Sequence, residues 1–142
     1  MKATILTSVF VALFSAANLN AKDVKTYTNN ESGEFGTKKE YVSVDKETLK
    51  PTTKEFYYYD VNGRIVEKTV SKWSDEKGWE NIGLYEYQYN ENGNVANVIY
   101  TERADQSDKT YFLVHLYDEN NEFKSIEKLE ISTTNDNYIT LK

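Results

Sequence analysis

Apolar and polar residues alternate along most of the chain after residue 21, and short polar segments interrupt the alternation. A period of two is typical of β-strands, because successive side chains point to opposite faces of a sheet. No window after residue 21 has a sustained 3.6-residue apolar period, so we expect little or no helix. A polar, glycine-containing loop is predicted over residues 29–36. The pattern predicts strands over residues 24–28, 37–45, 54–60, 64–73, 79–90, 94–103, 109–118, 122–134 and 138–141.

Three of the interruptions share one turn sequence, in which Asp or Asn is followed by any residue, Asn, and then Gly or Asn. The first side chain can accept a hydrogen bond from the backbone N–H two residues on. Gly or Asn in the fourth position suits the positive φ of a type I turn closed by a G1 bulge. The predicted turn residues are Asp60, Asn62, Gly63, Asn90, Asn92, Gly93, Asp118, Asn120 and Asn121.

Each turn follows an alternating segment that ends in Tyr59, Tyr89 or Tyr117, so the chain contains three successive β-hairpins. All connections between the predicted strands are short, which favours pairing between neighbours in sequence. We therefore predict an all-β fold, an antiparallel up-and-down meander of about seven to eight strands. Since a flat sheet without helices buries little apolar surface, we expect the meander to be curled or two-layered.

The sequence Tyr-Tyr-Tyr-Asp-Val-Asn-Gly-Arg over residues 57–64 resembles the YD repeat of bacterial Rhs-type and animal teneurin proteins. The similarity covers residues 54–129 in three copies. The second copy departs from the pattern at Asn90 and Asn94, and the third at Asn121 and Glu122. The chain as a whole is most similar to short, secreted, YD-repeat-like families of unknown function in Bacteroidetes. The resemblance implies hairpins packed through aromatic residues in an extracytoplasmic location, and it brings no known catalytic residue.

Residues 1–21 have the pattern of a signal peptide, with Lys2 before an apolar segment and Leu19-Asn20-Ala21 as a cleavage site. The apolar segment is too short to form a stable membrane span. Cleavage after Ala21 would leave residues 22–142 as a single β-repeat domain, with no membrane span and a secreted or periplasmic location. The sequence contains no cysteine, so it has neither a lipobox nor disulfides.

The charge balance excludes some classes of partner. The chain has 23 acidic and 17 basic residues, a net charge of −6, and no basic cluster. This argues against nucleic acid and against anionic membrane surfaces as partners. His115 is the one histidine, which excludes a histidine-cluster metal site, and it aligns with Tyr57 and Tyr87 as a member of an aromatic row. The Asx turns lack the later bidentate Glu of a calcium loop, and no cofactor is predicted.

The aromatic residues carry the functional hypothesis. Strand alternation places five tyrosines, with Tyr85 beside them, in a row on one face of the sheet: Tyr57, Tyr59, Tyr87, Tyr89 and Tyr117. Trp73 and Trp79 flank one turn, where they either extend this row or pair across the hairpin and hold its end together. Exposed aromatic rows often mark binding surfaces. The predicted stacking positions for a ligand are Trp73, Trp79, Tyr57, Tyr59, Tyr87 and Tyr89.

We therefore expect a non-enzymatic binding module of the cell envelope whose partner is a glycan or an envelope protein. Two alternatives stay open. The first is a small secreted glycan-active enzyme with paired carboxylates, for which Asp75, Glu76, Glu80 and Glu86 lie nearest to aromatic residues. The second is a structural oligomer paired through the open edges of the sheet.

Overall fold

The structure is a computed structural model that describes residues 9–11, 23–104, 107–133 and 139–141. These residues form strands joined by short turns, without a helix. None of these ranges holds a helix that is long and apolar enough to cross a bilayer. The strands are β1 (Val9–Val11), β2 (Val24–Gly33), β3 (Gly36–Asp45), β4 (Pro51–Tyr59), β5 (Ile65–Ser74), β6 (Gly78–Tyr89), β7 (Val95–Glu102), β8 (Lys109–Tyr117), β9 (Phe123–Thr133) and β10 (Ile139–Leu141).

The chain divides into two compact units, Met1–Asn81 and Ile82–Lys142, with the boundary inside β6. In the first unit, each of β1 to β4 pairs antiparallel with the next strand. In the second unit, each of β6 to β9 does the same. The strand order thus follows the sequence order. The predicted all-β antiparallel meander is confirmed, with the long strands β2 to β9 in the predicted number.

Neither unit contains a hydrophobic core of the usual kind. Within each unit the strands pack chiefly against their sheet neighbours, so each unit is a single open layer. Val98, at 5% exposure, is the one buried hydrophobic side chain among the described residues. Of the two arrangements expected from the sequence, curled or two-layered, the second is therefore not formed within either unit. Most strand positions of both parities are half-exposed, so contacts between neighbouring strands replace burial between layers.

The predicted loop over residues 29–36 is wrong. Strand β2 continues to Gly33, and the chain reverses over residues 34 and 35 before β3 begins at Gly36. Polar side chains tolerate this hairpin because the backbone ladder supplies the hydrogen bonds and both faces are wet. Gly36 has φ 145°, and a Cβ on it would lie 2.0 Å from the carbonyl oxygen of Tyr59. Only glycine allows this close approach of the hairpin end to β4.

The three Asx turns share one hydrogen-bond arrangement. Asp60 Oδ1 accepts from the backbone N–H of Asn62 at 2.9 Å and of Arg64 at 2.9 Å. Gly63 has φ 76°, and the ladder shifts register at Tyr59, as a type I turn with a G1 bulge requires. The same two bonds form at the other turns, where Asn90 accepts from Asn92 and Asn94, and Asp118 accepts from Asn120 and Glu122. The fourth positions, Gly93 and Asn121, have φ 81° and 64°.

Most of the predicted signal peptide, residues 1–21, lies outside the described residues. Val9–Val11 is described as a short strand opposite residues 28–30 of β2. The segment between the last two predicted strands, residues 135–137, also lies outside them. The signal peptide and the single domain over residues 22–142 therefore stay predictions.

Candidate functional site

The register places the predicted aromatic residues of the first unit on two different faces. Tyr57 lies opposite Lys39 on β3 and Lys68 on β5. Lys54 lies opposite Ser71, and Trp73 shares that face because it follows Ser71 by two residues. We call the two sides the tyrosine face and the tryptophan face. The sequence-predicted row of tyrosines plus tryptophans is therefore not assembled on one surface.

On the tyrosine face the rings contact one another. Tyr41 meets Tyr57 edge-on with ring centroids 5.6 Å apart, and Tyr57 stacks with Tyr59 at 6.3 Å. The Nζ of Lys68 lies 5.1 Å from the Tyr57 ring centroid, and that of Lys39 lies 5.0 Å from the Tyr59 ring centroid. Neighbouring rings and ammonium groups thus occupy the ring faces that a stacking ligand would need.

Hydrogen bonds and charge close this cluster further. The Tyr57 hydroxyl donates to Glu55 Oε2 at 2.6 Å, and Lys68 Nζ lies 3.5 Å from Glu55 Oε1. Desolvation, followed by the bond to Glu55, raises the pKa of Tyr57. Desolvation lowers the pKa of Lys68, but the Tyr57 bond and the Glu55 charge outweigh it and the net pKa is raised. The phenol therefore stays protonated and the ammonium stays charged at neutral pH, which suits a structural network.

The two tryptophans pair with each other across their hairpin. Trp73 and Trp79 meet edge-on with ring centroids 5.3 Å apart. Trp73 Nε1 donates to Asp75 Oδ1 at 3.3 Å, and Lys54 Nζ lies 4.8 Å from the Trp79 ring centroid. Of the two interpretations that the sequence left open for the tryptophans, this is the pairing that holds the hairpin end together.

The second unit has a tyrosine row that the strand alternation did not predict. Tyr100 stacks with Tyr85 at 4.5 Å and with Tyr111 at 6.0 Å, and Lys128 Nζ lies 3.9 Å from the Tyr111 ring centroid. The row passes through three strands, β6, β7 and β8. The turn at residues 90–93 is the sequence feature from which this row follows. Its bulge fixes the register between β6 and β7, so that Tyr100 lies opposite Tyr85.

Tyr87 and Tyr89, two members of the aromatic row predicted from the sequence, do not lie opposite another ring on β7. Tyr87 lies opposite Val98, and Tyr89 lies opposite Val95. His115 sits further along β8, where its Nδ1 is 3.2 Å from the carbonyl oxygen of Leu113 and its ring is 6.1 Å from that of Phe123. These contacts are those of a packing residue.

An open concave surface lies at the β2–β3 hairpin of the first unit. It encloses about 470 Å³. Phe56 and Tyr58 line it from β4, on the tryptophan face, and Phe35 lines it from the hairpin turn with 77% of its surface exposed. The charged lining consists of Glu31, Glu34, Glu67 and Lys38, and Gly33 and Gly36 complete it. We call this surface the acidic cleft.

The sheet register builds the acidic cleft from four strands. Glu31 faces Lys38, Lys38 faces Tyr58, and Tyr58 faces Glu67, in one row from β2 to β5. The Tyr58 hydroxyl donates to the carbonyl oxygen of Phe35 at 2.9 Å, which ties the hairpin turn to β4. The rings are thus held in place by the backbone ladder and by this bond.

The acidic cleft has the chemistry of a binding surface. The described residues contain no group of three or more acidic, histidine or cysteine side chains that could hold a metal ion. Three carboxylates and three aromatic rings line it. Glu67 Oε1 accepts from the Thr69 hydroxyl at 3.4 Å. Such a surface offers both charge and apolar contact.

The carboxylates named for the enzyme alternative lie elsewhere. Asp75 forms an ion pair with Lys50, and Glu80 forms one with Lys77 at 3.1 Å. Glu76 is exposed in the turn between β5 and β6, and Glu86 belongs to the second unit. None of these four lines the acidic cleft.

The fold and the cleft define an all-β protein of successive hairpins with a small acidic and aromatic surface. A family model described as a family of unknown function, DUF3836, matches residues 1–119. The chain belongs to this family. Neither a curated protein nor a solved structure matches it.

Proposed function

We propose that the protein is an exported, non-enzymatic binding module of the cell envelope and that it binds its ligand in the acidic cleft. The observation that carries this proposal is the contrast between the aromatic clusters. Lysine ammonium groups and neighbouring rings cover Tyr57, Tyr59 and Trp79, whereas the cleft leaves aromatic surface open. An open aromatic concavity with a few polar groups is the usual form of a binding site.

The exposure of Phe35 supports this location. A phenylalanine with 77% of its surface in water gains little stability from burial. Exposed apolar groups rimmed by polar residues commonly mark interaction sites. In the cleft, Phe35 stands beside two further rings and three carboxylates, so a ligand that enters buries apolar surface and meets charge at once.

The export part of the proposal rests on the signal-peptide pattern of residues 1–21, which implies a secreted or periplasmic location. The partner then belongs to the envelope, as a glycan or a protein. A relationship to YD-repeat proteins is part of the same proposal, and the shared Asx turn geometry of the three hairpins supports it.

Nuclear magnetic resonance titration of the purified protein tests the proposal. The probes are soluble cell-wall oligosaccharides and short peptides. We expect the amide signals of residues 31–38 and 56–58 to shift, and Phe35→Ala to weaken the binding. Leu49→Ala is the matched control, because Leu49 is also 77% exposed in a turn of the same unit but lies outside the cleft.

Two results would contradict the proposal. Binding that maps outside the cleft and persists in Phe35→Ala would remove the cleft as the site. Hydrolysis of an oligosaccharide that a single carboxylate substitution abolishes would establish the enzyme alternative instead.

A further inference from the structure

We infer that the acidic cleft accepts a basic side chain of a protein partner, with its charged group between the carboxylates and its aliphatic stem against Phe56 and Tyr58. This inference rests on the proposed function, because it names the ligand class of the same site. It chooses the envelope protein over the glycan.

The charge of the cleft complements a basic side chain. Three carboxylates, those of Glu31, Glu34 and Glu67, line the cleft against one ammonium, that of Lys38. Within the described part of the chain, none of these three carboxylates forms an ion pair. A cationic group that enters the cleft therefore meets uncompensated negative charge, whereas an anionic ligand is repelled.

Several aromatic rings elsewhere in the protein form cation–π contacts with lysine. A lysine ammonium lies over each of several of them, at 3.9 to 5.1 Å from the ring centroid. The pairs are Lys25 with Tyr27, Lys39 with Tyr59, Lys54 with Trp79, Lys68 with Tyr57 and Lys128 with Tyr111. No ammonium of the described residues lies over Phe56 or Tyr58. The cleft thus has rings over which no ammonium lies, although Lys38 is part of its lining.

The tyrosine face shows what the completed arrangement looks like. There, Lys68 stands over Tyr57 and pairs with Glu55. In the cleft, Tyr58 faces Glu67 on one side and Lys38 on the other, but Lys38 neither stands over the Tyr58 ring nor pairs with Glu67. A cation between a carboxylate and an aromatic ring gains both Coulomb and cation–π attraction. A partner's basic side chain would supply the missing member.

The size of the cleft agrees with this occupant. A volume of about 470 Å³ holds one long side chain and part of its backbone. Basic side chains place their methylene groups along apolar surface while the charged end stays in a polar environment, which suits a lining of aromatic rings and carboxylates. A neutral sugar could use the rings, but it has no charge for the three carboxylates to bind.

The probe for this inference is a short blocked peptide with one lysine among glycines and serines, compared with the same peptide carrying Nε-acetyl-lysine. Acetylation removes the charge and keeps the stem. We expect the lysine peptide to shift the amide signals of residues 31–38 and 56–58, the acetylated peptide to bind at least about fivefold more weakly, and added salt to weaken the binding.

Substitutions of the cleft carboxylates test the same interaction from the protein side. We expect Glu34→Gln and Glu67→Gln each to weaken the lysine peptide by about twofold to fivefold. Glu47→Gln, in the exposed turn after β3, should leave the affinity unchanged. Gly33→Val should block the cleft without unfolding the protein, because a Cβ on Gly33 meets no atom within 4 Å.

Equal affinity for the two peptides, or no binding of the lysine peptide, would overturn the inference. If neutral oligosaccharides bind the cleft while the lysine peptide does not, the inference fails and the proposed function stands. If Phe35→Ala weakens no ligand at all and binding maps elsewhere, both fail.

Discussion

The ring of Tyr100 covers the backbone at Gly83. A Cβ on Gly83 would lie 3.3 Å from Cε2 of Tyr100 and 3.7 Å from Cε2 of Tyr85. The space left by the missing side chain is therefore filled by a neighbouring ring. In a single-layer unit, such cross-strand cover shields a strand glycine that no core would bury.

We predict that Gly83→Val lowers the free energy of unfolding by about 1–3 kcal/mol, because the branched side chain displaces the Tyr100 ring. Urea unfolding monitored by circular dichroism measures this change. Gly33→Val is the control, since Gly33 is also a strand glycine but has open space around it. There the strand preference of valine should leave the stability equal or higher. Equal effects of the two substitutions would show that the ring contact contributes nothing.

The turn glycines should resist substitution by β-branched residues. Gly63 and Gly93 have φ of 76° and 81°, in the left-handed region. We predict that Gly63→Val and Gly93→Val each lower the free energy of unfolding by about 1–3 kcal/mol through backbone strain. Asn121→Gly serves as the control, because φ at Asn121 is already 64°. It should change the stability by less than about 0.5 kcal/mol, and chemical denaturation compares the three variants.

Asp60 should make stability depend on pH in acid. Hydrogen bonds from the Arg64 backbone N–H, the Arg64 side chain and the Asn62 N–H hold the pKa of Asp60 below its usual 3.8. Because the folded pKa is the lower one, this contribution is complete above pH 3.8 and is lost as the pH falls through the folded pKa. We predict that Asp60→Asn keeps the turn, as Asn90 does in the second copy, and flattens the loss of stability below pH 4. Unfolding curves at several acidic pH values test this. If the free energy of unfolding falls with pH as steeply in Asp60→Asn as in the unsubstituted protein, the prediction is wrong.

Tyr100 should act in the opposite pH range. Desolvation, followed by the charges of Tyr85 and Glu102, raises the pKa of Tyr100 above 10.0. The folded state favours the neutral phenol, so its contribution is present below pH 10.0 and is lost as the pH rises through the folded pKa. We predict that Tyr100→Phe keeps the stacked row and reduces alkaline destabilisation. Thermal unfolding between neutral pH and pH 11 provides the measurement, with Tyr27→Phe, an exposed tyrosine, as the control.

The tryptophan pair should matter for stability rather than for binding. Trp79→Ala removes the edge-on contact with Trp73 and the cation–π contact with Lys54. We predict a loss of about 1–3 kcal/mol in the free energy of unfolding. The affinity of the lysine peptide should stay within about twofold, because Trp79 does not line the cleft. A large loss of affinity with unchanged stability would contradict this prediction and would show that the tryptophans belong to the binding site.

Local chemistry explains why much of the fold was predictable. The turn at residues 60–63 depends on an Asx side chain, its own backbone and one residue with positive φ, and all of these are adjacent in sequence. Alternation likewise predicted strands such as β8 almost to the residue. The prediction of a loop over residues 29–36 was wrong because it relied on the lack of apolar side chains in residues 29–33. The backbone ladder to β3 holds these residues as a strand regardless of side-chain polarity.

The sequence by itself determined most of the strands, the Asx turns and the sequential antiparallel order, because each of these depends on a few consecutive residues. Only the tertiary structure decided that Tyr100 stacks on Tyr85, that Trp73 lies on the face opposite Tyr57, and that Phe35, Tyr58 and Glu67 line one cleft. These relations join residues from different strands. A bulge at each turn changes the pairing by one residue, so they follow from the register of the folded sheet and not from the alternation of any single strand.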